Sequence, residues 1–108
     1  MARSMDHVEV LVVDDERVIR EGLAQTLASA GFDVRLASGG RAAVQAFLLE
    51  RPDLVLLDVM MPGMDGYATC EEMRKIDREV PIVFLSALHS DQDQIRGLEV
   101  GADDYIAV

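Results

Sequence analysis

The sequence predicts an α/β domain built on a parallel sheet with helices on both faces. Three observations carry that prediction. Short apolar or β-branched runs alternate with stretches of helical periodicity through to a fifth strand, the pattern of parallel strands joined by right-handed crossovers. One of those runs, Leu54-Val55-Leu56-Leu57, is apolar at every position, as a strand buried on both faces would be. Polar groups stand where the runs end, at Asp14-Asp15, Asp58 and Ser86. In open parallel sheets that edge, beyond the carboxyl ends of the strands, is where ligands bind.

The chain has 108 residues, half of them apolar, which suits one globular domain with one core and excludes a disordered chain. No apolar run approaches the roughly 20 residues of a membrane span. The start, MARSMDHVEV, has no apolar core of a signal peptide, so a cytoplasmic location is expected. Cys70 is the only cysteine and reads as core packing in a reducing compartment rather than as a reactive thiol. The net charge is −10, from 20 acidic and 10 basic residues. That argues against direct nucleic-acid binding by this segment, which would call for a basic patch. It suits a site for a divalent cation, although solubility alone would also explain it.

In chain order, residues 1–7 are polar and unpatterned and read as a frayed terminus. Val8 to Val13 is the first strand and runs straight into Asp14-Asp15-Glu16. Ile19, Leu23, Leu27 and Ala30 then recur at helical spacing until Gly31 stops the helix. Acidic residues at a helix start complement its dipole, but two adjacent aspartates at a strand end exceed what capping needs. Phe32 to Ala37 is the second strand. Gly39-Gly40 leads into a helix expected to turn Ala43, Val44, Phe47 and Leu48 inward, closed by Pro52. The third strand ends at Asp58, and Pro62, Gly63 and Gly66 break regular structure after it. Tyr67, Cys70, Met73 and Ile76 share one face of the next helix. Ile82 to Leu85 is the fourth strand and delivers Ser86. Ser90 with Asp93 resembles a helix cap, and Ile95 and Leu98 are expected to form that helix's inner face. Gly101 stops it, and Tyr105 to Val108 is the fifth strand.

Asp14, Asp15, Asp58 and Ser86 thus converge on one sheet edge. Three carboxylates within about 5 Å repel at a cost on the order of 3 kcal/mol per pair at an effective dielectric near 20. Either one stays protonated or a cation neutralises them. A hard divalent ion such as Mg²⁺, which takes one or two carboxylates plus phosphate oxygens, is the natural partner. Asp58 is then the candidate nucleophile, because a carboxylate can form an acyl phosphate, and the Ser86 hydroxyl could bond a phosphoryl oxygen. An Asp that closes a strand is by itself as often a turn former; the convergence is what favours chemistry.

Four signatures, LVVDDE at Leu11–Glu16, LLDVMMPGMDG at Leu56–Gly66, FLSA at Phe84–Ala87 and GADDYI at Gly101–Ile106, occur in the order found in receiver domains of bacterial two-component response regulators. The chain resembles that family from Val8 to its last residue. The resemblance implies a doubly wound, flavodoxin-like five-stranded parallel sheet in the order 2-1-3-4-5. It makes Asp58 the phospho-acceptor, charged by a sensor histidine kinase or phosphotransfer protein. It implies that Mg²⁺ is held by Asp15, Asp58 and the Met60 backbone carbonyl, with Asp14 acting mainly through a water. Ser86 would be the switch hydroxyl and Tyr105 the aromatic that turns inward with it, while the small Ala87 leaves the phosphoryl group accessible.

The chain departs from the family at Val108, where the family has a lysine that pairs with the phosphoryl group; Lys75, the only lysine, falls in the third helix. The family's fifth helix would follow Val108, so the sequence reads first as a fragment of a longer regulator and second as a truncated form whose open face another chain covers. Three or four uncovered apolar side chains, at roughly 1.5–3 kcal/mol each, would leave an open face through which two copies could pair. These readings favour a phosphorylation-operated switch rather than a multi-turnover enzyme. A pseudo-receiver that serves only as an interaction module is the alternative. A phosphatase with an aspartyl-phosphate intermediate ranks last, because Met60 stands where such enzymes place a second acid. His7 and His89 are expected to be solvated, and Met60, Met61 and Met64 to pack the loop.

Overall fold

Five short segments form the strands and four amphipathic segments the helices in a computed structural model that describes residues 7–108. The elements are β1 (Glu9–Val13), α1 (Arg17–Ser29), β2 (Asp33–Ala37), α2 (Gly40–Leu49), β3 (Leu54–Leu57), α3 (Gly66–Ile76), β4 (Ile82–Ser86), α4 (Asp91–Glu99) and β5 (Asp104–Ala107). All strand pairs are parallel, and the sheet order is β2-β1-β3-β4-β5, as expected. The expected frayed terminus falls almost wholly on residues 1–6, outside the described residues; His7 is exposed.

Side chains alternate across each strand, and the two faces of the sheet are covered differently. Leu11, Val13, Val55, Leu57, Ile82 and Phe84 point to the side of α2 and α3, where they are sealed with Ala43, Phe47, Cys70 and Met73. Cys70 is fully buried there and its thiol is pushed up to about 11, chiefly by burial. That makes it a packing residue with little thiolate near neutral pH. On the other face α1 lies against β1 and β2 and contributes no buried residue.

Two predicted helix faces need correction. Leu48 is 56% exposed; only Ala43 and Phe47 of the predicted inner set in α2 are buried, with Val44 half-buried. In α4, Ile95 and Leu98 are 54% and 50% exposed, and the buried residue is Gly97. A Cβ on Gly97 would lie 2.8 Å from the Tyr105 ring and 3.0 Å from the Phe84 ring. The helix therefore approaches the sheet through its smallest residue, and the larger apolar residues turn to its flanks. The predicted cap at Ser90 is a full capping box with Asp93. Of the three methionines, Met61 is buried and Met64 half-buried, whereas Met60 is 64% exposed and packs little.

Candidate functional site

β1 and β3 are neighbours in register, with Val13 opposite Leu57, so Asp14 and Asp58 leave the sheet side by side. The ladder fixes both: the Asp58 amide donates to the Val13 carbonyl at 3.0 Å, and the Asp14 amide to the Ala37 carbonyl at 3.2 Å. Asp15 follows in the chain, and one carboxylate oxygen from each of Asp14, Asp15 and Asp58 lies within 4.8 Å of the others. The acids are not spent on capping α1, whose N-cap residue, Glu16, makes no side-chain cap bond. Instead, Asp14 Oδ1 accepts the Glu16 N–H at 2.9 Å.

The crowding shows in the proton affinities. Burial raises the Asp58 pKa, the Asp14 charge raises it further, and hydrogen bonds from the Val59 N–H, Ser86 and the Met60 N–H oppose the rise. Asp14 is likewise raised, first by burial and then by Asp15, against the Glu16 N–H bond and the nearby Arg20. Both carboxyls thus favour either a proton or a cation.

Ser86 ends β4, is buried, and accepts the Leu88 N–H on its Oγ at 3.2 Å. Tyr105 pairs with Phe84 across β4 and β5. Its ring lies inward, and its hydroxyl donates to the Leu88 carbonyl at 2.6 Å. Ala87 is exposed beside Ser86. The Met60 side chain points largely to solvent while its amide faces Asp58. Asp14, Asp15, Asp58, Met60, Ser86, Ala87 and Val108 all border one open cleft of about 1090 Å³. The structure therefore gathers every predicted site residue except Tyr105 around that cleft, and Tyr105 reaches its wall through the bond to Leu88. His89 is exposed in the loop after Ser86.

Sequence reasoning missed several residues that hold the site. Arg20 Nη1 donates to the Asp14 carbonyl at 2.8 Å; a basic residue one helical turn beyond the acids was the available signal. Asp65 caps α3 through its bond to the Ala68 N–H at 2.9 Å. Gly66 was read only as a breaker, yet a Cβ there would overlap the Asp58 carbonyl oxygen, and its N–H donates to the Val59 carbonyl at 2.8 Å. The glycine is what lets α3 start against the acid loop.

The model of the response regulator receiver domain matches residues 10–107. The chain belongs to that family. Among curated relatives, the receiver is 49% identical to a probable transcriptional regulator, ycf27, of Porphyridium aerugineum over 94% of its length. It is 44% identical to the response regulator MprA of Mycolicibacterium vanbaalenii over 92%. It spans only 42% and 43% of those two proteins, about two fifths of the length of the curated relatives it matches. Among solved structures, the chemotaxis protein CheY4 of Vibrio cholerae superposes with a TM-score of 0.90 at 32% identity, covering 94% of this receiver and 86% of that chain. The beryllofluoride-activated receiver domain of Klebsiella pneumoniae RstA gives 0.86 at 38%, covering 92% and 84%. Two-component signalling is the function class this membership assigns. No helix among the described residues is long and apolar enough to cross a membrane.

Proposed function

We propose that this receiver accepts a phosphoryl group on Asp58 from a phosphohistidine of a sensor kinase or phosphotransfer protein, and that the modified state is read by a downstream partner. The observation that carries the reading is the placement of three carboxylates, with oxygens within 4.8 Å of one another, at adjacent strand ends beside a buried serine. Packing needs no such cluster, and repulsion opposes it.

The residues fit Mg²⁺: the donors are all oxygen, and two of the carboxyls have raised pKa values. Asp15, Asp58 and the Met60 carbonyl would hold the ion, with Asp14 alongside. When bound, the ion neutralises the acids and draws charge from the incoming phosphoryl oxygens. The ladder bond from the Asp58 amide aims its carboxylate into the cleft. An Asp58 oxygen attacks the phosphorus, a P–O bond forms, and the P–N bond to the imidazole breaks. The imidazole leaves neutral, keeping the bonding electron pair and the proton on its other nitrogen. Ser86 Oγ then bonds a phosphoryl oxygen, and exposed Ala87 leaves the approach open. The receiver turns over no other substrate; its chemistry is its own modification and hydrolysis. A cytoplasmic setting follows from a cytoplasmic kinase, and the acidic surface favours a protein as this segment's direct partner.

Intact mass after incubation with acetyl phosphate, with and without Mg²⁺ and beside Asp58→Asn, tests this. A phosphoryl gain that needs both Mg²⁺ and Asp58 is expected. One observation favours a second reading, that of an interaction module with impaired switching. Val108 borders the cleft, 69% exposed, at the family's lysine position, where an apolar side chain gives the phosphoryl group no charge-assisted contact. Absence of any gain in a folded sample would support it.

A further inference from the structure

Tyr67, the second residue of α3, is 4% exposed, and its ring packs 5.5 Å from that of Phe84, which in turn lies 5.7 Å from that of Tyr105. The three rings form a layer running from α3 through β4 to β5. Both phenols tie to the same neighbour. The Tyr105 hydroxyl donates to the Leu88 carbonyl just before α4, and the Tyr67 hydroxyl donates to the Asp93 carbonyl in the first turn of α4 at 3.1 Å. Arg96, one turn further along α4 and on the same side as Asp93, sets its guanidinium over the Tyr67 ring, 4.4 Å from the centroid. Such a contact adds a cation–π attraction to the hydrogen bond. α4 therefore grips Tyr67 at two points. The residue before Tyr67 is Gly66, whose backbone rests on the Asp58 carbonyl and bonds to Val59.

We propose that Tyr67 is a positioning residue that links the acid site to α4 by a second route, through the β3–α3 loop, beside the route through Ser86 and Tyr105. A displacement of the Asp58 backbone reaches Gly66 by contact and Tyr67 by one covalent step. From there it reaches α4 through the phenol and the arginine. This inference rests on the phospho-acceptor reading for its input, but the grip on α4 stands without it.

Amide hydrogen exchange and amide chemical shifts of the full 108-residue chain test the inference in the wild type, Tyr67→Phe and Tyr105→Phe. The phenylalanine variant keeps the ring layer and removes the bonds of the Tyr67 hydroxyl, to the Asp93 carbonyl of α4 and to the Tyr105 hydroxyl. Without ligand, Tyr67→Phe is expected to speed exchange of the α4 amides about fivefold, as the loss of one hydrogen bond would, and to leave α2 unchanged. With Mg²⁺ and beryllofluoride added, the shift changes at Asp58 to Met60 should persist in Tyr67→Phe. The response of α4 should shrink, and it should shrink further in the double variant. Wild-type α4 exchange and an undiminished α4 response in Tyr67→Phe would overturn the proposal. So would an equal acceleration over α2, α3 and α4, which would mark a loss of global stability alone. If the wild type shows no shift change at Asp58 with Mg²⁺ and beryllofluoride, the phospho-acceptor reading fails, while exchange in the unliganded protein still decides whether Tyr67 holds α4.

Discussion

On the face covered by α2, α3 and α4, the strands contribute Leu11, Val13, Val55, Leu57, Ile82 and Phe84 to a sealed cluster. On the face under α1, the same strands turn Leu54, Leu56, Val83 and Leu85 into half-buried positions, and Ile106 is 47% exposed. Only Val10 and Val12, beneath α1 itself, are closed off there. The first face fixes geometry, because the loop that carries Asp58 returns into α3 through Gly66 with no spare space. The second face sets little of the site beyond the start of α1. The difference teaches that the acid site is held from one side of the sheet, so the sensitivity of the molecule to substitution should be lopsided.

The largest effect should come from the sealed face. Phe47→Ala or Phe84→Ala removes a fully buried ring and should cost about 3–5 kcal/mol in urea denaturation. Equal losses from Ile19→Ala in α1, 46% exposed, would break the contrast. Next is Gly66→Ala. Its new methyl group must displace the Asp58 carbonyl, so a loss of roughly 1–3 kcal/mol is expected, together with a sharp fall in phosphoryl uptake from acetyl phosphate. Uptake at the wild-type rate would show that the loop has slack the packing does not reveal.

Asp58→Asn should act in the opposite direction. The pKa values of Asp58 and Asp14 are raised in the folded state from 3.8. The folded protein therefore binds more protons than the unfolded chain between 3.8 and those raised values, and these two groups lower stability as pH climbs through that window. At neutral pH the variant should melt a few degrees above the wild type, and the gap should close as the pH is taken down toward 3.8. Mg²⁺ should raise the wild-type Tm and do much less for the variant. The smallest change should be Ile106→Thr on the open face, within about 0.5 kcal/mol as for other surface substitutions.

How much of this was legible in the sequence follows from the range of each interaction. The strands, their order and the meeting of Asp14, Asp15, Asp58 and Ser86 could be read because apolar runs and family signatures are local strings. The inner face of α4 could not. Its periodicity points to Ile95 and Leu98, but the close approach of Phe84 and Tyr105 selects Gly97, a preference set by residues distant in the chain. Leu48 fails similarly: it follows Phe47 in the apolar pattern, yet of these two only Phe47 reaches the core. Arg74 shows the limit best. It donates to the carbonyls of Gly101 and Val80 at 2.7 and 2.6 Å and pairs with Asp103 at 3.0 Å, tying α3 to the start of β5, and nothing in its surrounding sequence announces that.

The aromatic layer has an optical consequence. The chain has no tryptophan and two tyrosines, and both lie in that layer, one on either side of Phe84. Its tyrosine absorbance and emission therefore come wholly from the two phenols that hold α4. Burial pushes the Tyr67 phenol up to about 12 and raises Tyr105 as well, so alkaline titration should develop phenolate absorbance late, as the layer opens. An unlabelled sample thus carries a built-in dye in the layer between the acid site and α4. Replacing either tyrosine by phenylalanine leaves a single chromophore that reports on one side of it.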